Sequence, residues 1–152
     1  MNDAEAHVVK VLGDILSFFG VNTDIEVGSS DNVINASVPS TDMNGFLIGE
    51  RGNNLHAIQY LVNTMMKSSD FSDWRVSVDI ADYKAQRADR LAEQVQEWAA
   101  AVIKSGVPME LQHMSALDRR TVHQTIGEID AVQSESSGEG RDRHIVLKPS
   151  AE

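Results

Sequence analysis

Apolar residues recur along the chain with two periods. Over about residues 4–19, Val8, Val11, Leu12, Ile15, Phe18 and Phe19 fall at helical spacing, and Gly20 stops the run. Two short alternating stretches follow. Asp24–Val27 puts Ile25 and Val27 on one face, and Asn32–Pro39 does the same with Ile34, Ala36 and Val38. Gly28-Ser29-Ser30-Asp31 between them is turn chemistry, so a hairpin is predicted. Ser40-Thr41-Asp42 offers N-capping oxygens for a short helix to about Leu47. Leu55, Ile58, Leu61, Val62, Met65 and Met66 then mark a helix over about 53–67, and Arg75–Ile80 alternates again with Val76, Val78 and Ile80 on one face. The order helix, strand, strand, helix, helix, strand predicts a layer of helices on a three-stranded sheet.

A second set of elements follows without a linker-like stretch, so the two units are expected to pack or to be joined rigidly. Asp82–Lys104 reads as a long amphipathic helix with Ala88, Leu91, Ala92, Val95, Trp98, Ala99, Val102 and Ile103 on its apolar side, and Lys84, Arg87 and Arg90 on its exposed face. Gly106 and Pro108 end it. Met109–His113 reads as a short strand. Ser115 caps a helix to about Ile126 that turns Leu117, Val122 and Ile126 inward, and Ala131–Ser136 with Arg143–Leu147 forms a hairpin. The fold class is α+β, in two units over residues 1–80 and 81–152.

Composition narrows the chemistry. The chain has 152 residues, 41% apolar and 24% charged, with no cysteine, which removes disulfides and thiolate metal sites. No secretory signal is visible and no apolar run is long enough to insert in a membrane, so a cytoplasmic location is expected. The net charge of −10 argues against binding a polyanion. Its distribution softens that argument. Residues 1–50 hold one basic residue, Lys10, and eight acidic ones, whereas residues 51–152 are close to balance, with twelve basic and fifteen acidic. The field near a site, rather than the sum, decides binding there.

The candidate for that site is Ile48-Gly49-Glu50-Arg51-Gly52-Asn53-Asn54-Leu55, in which two glycines frame two polar residues just before a helix. Glycine permits close approach of a backbone and positive φ. The amides and dipole of the helix start suit a phosphate. Taken alone, the loop reads first as a plain helix–helix turn. With Gly45-Phe46-Leu47 before it and Ala57-Ile58-Gln59-Tyr60-Leu61-Val62-Asn63 after it, residues 4–80 resemble a KH domain of the type II arrangement, and in particular that of the Jag (KhpB) family of bacterial RNA-binding proteins.

A second motif lies at Met114-Ser115-Ala116-Leu117-Asp118-Arg119-Arg120-Thr121-Val122-His123, where Arg119 and His123 share a helix face. By itself this reads as a surface arginine beside a satisfied, half-buried histidine. Placed after a KH domain, it resembles the Arg-x-x-x-His signature of the R-three-H domain, which binds single-stranded nucleic acid and follows the KH domain in Jag proteins. The chain departs from that pattern at Glu50, where a basic or neutral residue is usual and a carboxylate would repel phosphate. It also departs at Asp118, which replaces a glutamate, and it looks like a short form without the N-terminal Jag domain.

The resemblance implies a non-enzymatic protein without metal or cofactor that binds single-stranded RNA, or single-stranded DNA, in post-transcriptional or envelope-linked regulation. It also implies a small KH-domain partner protein. The backbone amides of Gly49–Gly52 and the Arg51 side chain would hold the RNA backbone, with Glu50 and Asn53 counted in the same RNA-binding stretch; Ile48 and Leu55 would floor a base groove, and Arg119, Arg120 and His123 would make a second contact. The competing reading is a protein-interaction scaffold whose acidic surface excludes nucleic acid. The five histidines have no metal-ligand spacing. Neither a Gly-Lys-Ser/Thr phosphate loop nor a Ser-centred nucleophile elbow is present. Trp74 and Trp98 read as packing residues, and Arg141-Asp142-Arg143-His144 as a solvated turn.

Overall fold

The computed structural model describes residues 1–151 and divides into two compact units, Met1–Lys84 and Ala85 onward. The first contains α1 (Asp3–Phe18), β1 (Glu26–Ser30), β2 (Val33–Val38), α2 (Asn44–Ile48), α3 (Asn53–Lys67) and β3 (Arg75–Ile80). Its sheet has the order β1-β2-β3, antiparallel between β1 and β2 and parallel between β2 and β3. Ile34, Ala36 and Val38 of β2 and Val76, Val78 and Ile80 of β3 form the core with Val8, Leu12 and Leu16 of α1 and with Leu55, Ile58, Val62 and Met66 of α3. Helix α1 begins in a capping box. Asn2 accepts from the Glu5 amide, and the Glu5 carboxylate accepts from the Asn2 amide, both at 2.8 Å.

The hairpin is present, but its turn is displaced from the predicted position. Gly28, Ser29 and Ser30 belong to strand β1, and the reversal is made by Asp31 and Asn32 at φ 50° and 61°. Two left-handed residues between paired positions (Ser30 faces Val33) are the turn that matches strand twist, and Asp and Asn tolerate that conformation better than other non-glycine residues. The predicted cap of α2 is also corrected. The helix starts later, with Met43 at its N-cap position and no side-chain bond there. The Thr41 hydroxyl instead accepts from the Met43 amide (3.2 Å), and Asn44 Oδ1 accepts from the Thr41 amide (2.8 Å). Phe18, Phe19, Leu61 and Met65, which share the helical apolar spacing, are exposed, Phe18 at 92%.

The second unit is built on α4 (Tyr83–Ser105), whose first two residues belong to the first unit, with β4 (Met109–Glu110), α5 (Ala116–Ile126), β5 (Val132–Ser137) and β6 (His144–Pro149). Its sheet has the order β4-β6-β5, all antiparallel. Leu91, Val95, Ala99 and Val102 of α4, Val122 and Ile126 of α5, and Ile145 and Leu147 of β6 make the core. Ile103 and Leu117 lie outside it, on exposed faces. The predicted basic face of α4 dissolves as well. Lys84 and Arg87 are half-buried and partnered, and Arg90 alone of the three is exposed. Among the described residues, no helix is long and apolar enough to cross a membrane.

Candidate nucleic-acid interface

The loop between α2 and α3 is fixed at both glycines. Gly49 lies at φ 71°, ψ −178°, a region closed to side-chain-bearing residues. A Cβ there would stand 2.7 Å from Asn54 Cγ. Asn54 in turn donates to the Phe46 carbonyl at 2.7 Å, tying the start of α3 back across the loop to α2. Gly52 is left-handed (φ 77°) and buried, and a Cβ on it would stand 2.8 Å from the ring of Tyr83. Between them Glu50 and Arg51 form one tight turn that is exposed, with Arg51 at φ 54°. Helix α3 then begins at Asn53, also exposed, with no side-chain cap at Gly52. The first amides of a helix have no intrahelical acceptor of their own.

Ile48 is half-buried against the core, and Leu55, 3% exposed, belongs to it. Leu55 therefore anchors α3 and does not floor a groove. An open cleft lies along α3 from His56 to Lys67, beside the start of β3, with a volume of ≈ 400 Å³. His56, Tyr60 and Lys67 line it from α3, and Trp74 and Arg75 from the strand side. Periodicity missed these residues because they sit on the polar side of α3, and its apolar stripe carries no information about what that side faces. His56, Tyr60 and Lys67, at spacings of four and seven, were the available signal.

In the second unit Ser115 caps α5 as expected, accepting from the Asp118 amide at 3.2 Å. Arg119 is half-buried and donates from Nη1 to the Met114 carbonyl at 2.7 Å, which secures the turn before the helix. His123 is held between the Ser134 and Ser136 hydroxyls of β5, at 2.7 Å from Nδ1 and 2.9 Å from Nε2. Arg120 is exposed. Asp118 pairs with Arg87 of α4 at 3.2 Å. The Arg-x-x-x-His face thus binds α5 to its own unit, and Arg120 presents its charge to solvent. Among the described residues, no three acidic or histidine side chains converge to hold a metal ion.

Known proteins match both units. The model of the KhpA/KhpB KH domain matches residues 5–80, half of the chain, and that of the R-three-H domain matches residues 88–149. A protein of Clostridium symbiosum named RNA-binding protein KhpB is 28% identical over 127 residues, covering 84% of this chain and 57% of its own length. Proteins of the same name from Lactiplantibacillus plantarum and Bacillus subtilis are 28% and 25% identical over 130 and 127 residues. The alignments cover 86% and 82% of this chain, and 39% and 61% of those proteins. The chain thus spans only part of the length of these relatives. With both domain models matched in KH-then-R-three-H order, the chain belongs to the KhpB/Jag family.

Proposed function

We propose that this chain binds single-stranded RNA, with the Gly49–Gly52 loop holding the sugar-phosphate backbone. The observation that carries this reading is the loop itself. At both glycines φ is positive and a Cβ would meet a side chain of the same unit within 2.8 Å, so the path of the loop is preset just before α3. A bare helix start beside an exposed Arg51 suits a phosphate. From there the strand follows α3 along the cleft. Tyr60, 69% exposed, offers a ring for stacking, and Lys67 and Arg75 offer charge to neighbouring phosphates. From the Arg-x-x-x-His helix Arg120 supplies an exposed cation, while Arg119 and His123 keep that helix in place.

Glu50 opposes this binding. The grip on RNA is therefore modest and salt-sensitive, with the second unit adding avidity where the ligand spans both sites. The test is fluorescence anisotropy of labelled single-stranded RNA across a salt series. Arg51→Ala weakens binding to every sequence and flattens the plot of log affinity against log salt by about one unit. Glu50→Lys tightens binding. If neither substitution moves the affinity, the ligand lies elsewhere. If no RNA binds at low salt, the reading gives way to a scaffold that works through protein contacts.

A further inference from the structure

Strand β3 is an outer strand of the first sheet, and its free edge runs beside the cleft lined by Gln59, Asn63 and Val76. The amides of Arg75 and Ala81 donate to the carbonyls of Asn32 and Val38, both at 2.9 Å, on the side of β2. Alternation along the strand turns the amides of Val76, Val78 and Ile80 the other way, toward the open edge. An open edge beside a cleft of this size is a strip of backbone donors and acceptors. Such a strip can read the Watson–Crick edge of a splayed base.

In this protein the strip is already occupied. Asn63 Oδ1 accepts from the Val76 amide at 2.9 Å and Asn63 Nδ2 donates to the Val76 carbonyl at 2.8 Å, so one side-chain amide closes both groups of that residue. Gln59 Oε1 accepts from the Val78 amide at 3.0 Å. Lys84 Nζ donates to the same oxygen and to the Ser77 hydroxyl, each at 2.9 Å, and holds the glutamine in place. Asp79 Oδ1 accepts from the Ile80 amide at 2.9 Å and from the Lys84 amide at 3.2 Å. Every outward amide of the strand has a side-chain partner.

We infer that Gln59, Asn63 and Lys84 seal the β3 edge against base readout and make this KH unit indifferent to the identity of the bases in its cleft. The inference rests on the RNA reading above. A base that took the Val76 groups would strand the Asn63 amide, an exchange of hydrogen bonds with no net gain. What remains for the ligand is stacking, which every base can provide, and phosphate contact, which carries no sequence information.

The test measures the full chain and its Asn63→Ala variant against labelled oligoadenylate, oligouridylate and oligocytidylate, by anisotropy at low salt. For the unsubstituted chain the three affinities agree within about threefold, and Asn63→Ala, which opens the Val76 groups, spreads them to about fivefold or more. Amide hydrogen exchange supplies an arm that needs no variant: Val76 and Val78 exchange as slowly in the free protein as in the complex. Discrimination of about tenfold or more by the unsubstituted chain overturns the inference. So does an unchanged spread in the folded variant, or protection of Val76 and Val78 that arises only on binding. Base-selective binding would leave the RNA reading standing; absence of binding by all three oligomers removes that reading and this inference with it.

Discussion

Gly49→Ala tests whether the loop is held by conformation and by Asn54 together. Alanine at φ 71°, ψ −178° costs about 2 kcal/mol of backbone strain. Its Cβ also meets Asn54 Cγ at 2.7 Å and Asn54 Nδ2 at 2.9 Å, so the asparagine must swing away and release its bond to the Phe46 carbonyl. That loss adds about 1 kcal/mol, for a total near 3 kcal/mol. Asn54→Ala alone loses the hydrogen bond and costs about 1 kcal/mol. In the double variant the bond is already gone and the clashing amide with it, so the combined cost falls about 1 kcal/mol short of the sum. The assay is urea unfolding followed by Trp74 fluorescence in a Trp98→Phe background, which isolates the first unit. Strict additivity of the two substitutions would refute the coupling. A cost for Gly49→Ala below about 1 kcal/mol would refute the strain.

Three further outcomes follow from other contacts. Ser115→Ala removes the cap of α5 and lowers the stability of the second unit by about 1 kcal/mol, read from Trp98 fluorescence in urea. Asp118→Asn leaves Arg87, whose Nε has no partner, without its counter-ion at 3.2 Å. It costs about 2 kcal/mol in the same assay, whereas Asp118→Glu stays within about 1 kcal/mol of the parent. The Ser29 hydroxyl, and after it the Asn2 amide, hold the Glu5 carboxyl below its ordinary value of 4.5. A carboxyl lowered on folding stabilises above its unfolded pKa, and the contribution is lost as pH falls through the folded value. Ser29→Ala therefore weakens the first unit at neutral pH and makes its stability fall less steeply below pH 4.5, checked by thermal melts across that range.

Much of the fold is legible in periodicity, because burial on one face imposes it. Helix α3 and strand β3 stand where their apolar spacing puts them, at Asn53–Lys67 and Arg75–Ile80. Gly28-Ser29-Ser30 has turn composition yet lies in β1, an edge strand with little buried surface that tolerates such residues. Asp31-Asn32 makes the turn through backbone handedness, which composition does not report. Leu61, Met65 and Leu117 belong to the apolar spacing yet are exposed, because apolar character marks a stripe wider than the strip of each helix that meets its sheet. At the site, the glycine loop and the cap at Ser115 were readable from local chemistry. The bonds of Arg119 to Met114, of His123 to Ser134 and Ser136, and of Asp118 to Arg87 were not. Each depends on a partner brought near by tertiary packing or by the path of a turn.

The occupied edge of β3 also bears on how this sheet can grow. Strand-to-strand association needs a row of unpaired amides and carbonyls on the receiving edge. Asn63, Gln59 and Asp79 take up the outward amides of β3, so that edge is a poor template for a strand from another chain. The sheet's other edge, β1, is five residues long, mostly exposed, and carries Gly28, Ser29 and Ser30. Any extension of the sheet, whether in assembly or in aggregation of a partly unfolded chain, is thereby directed to β1.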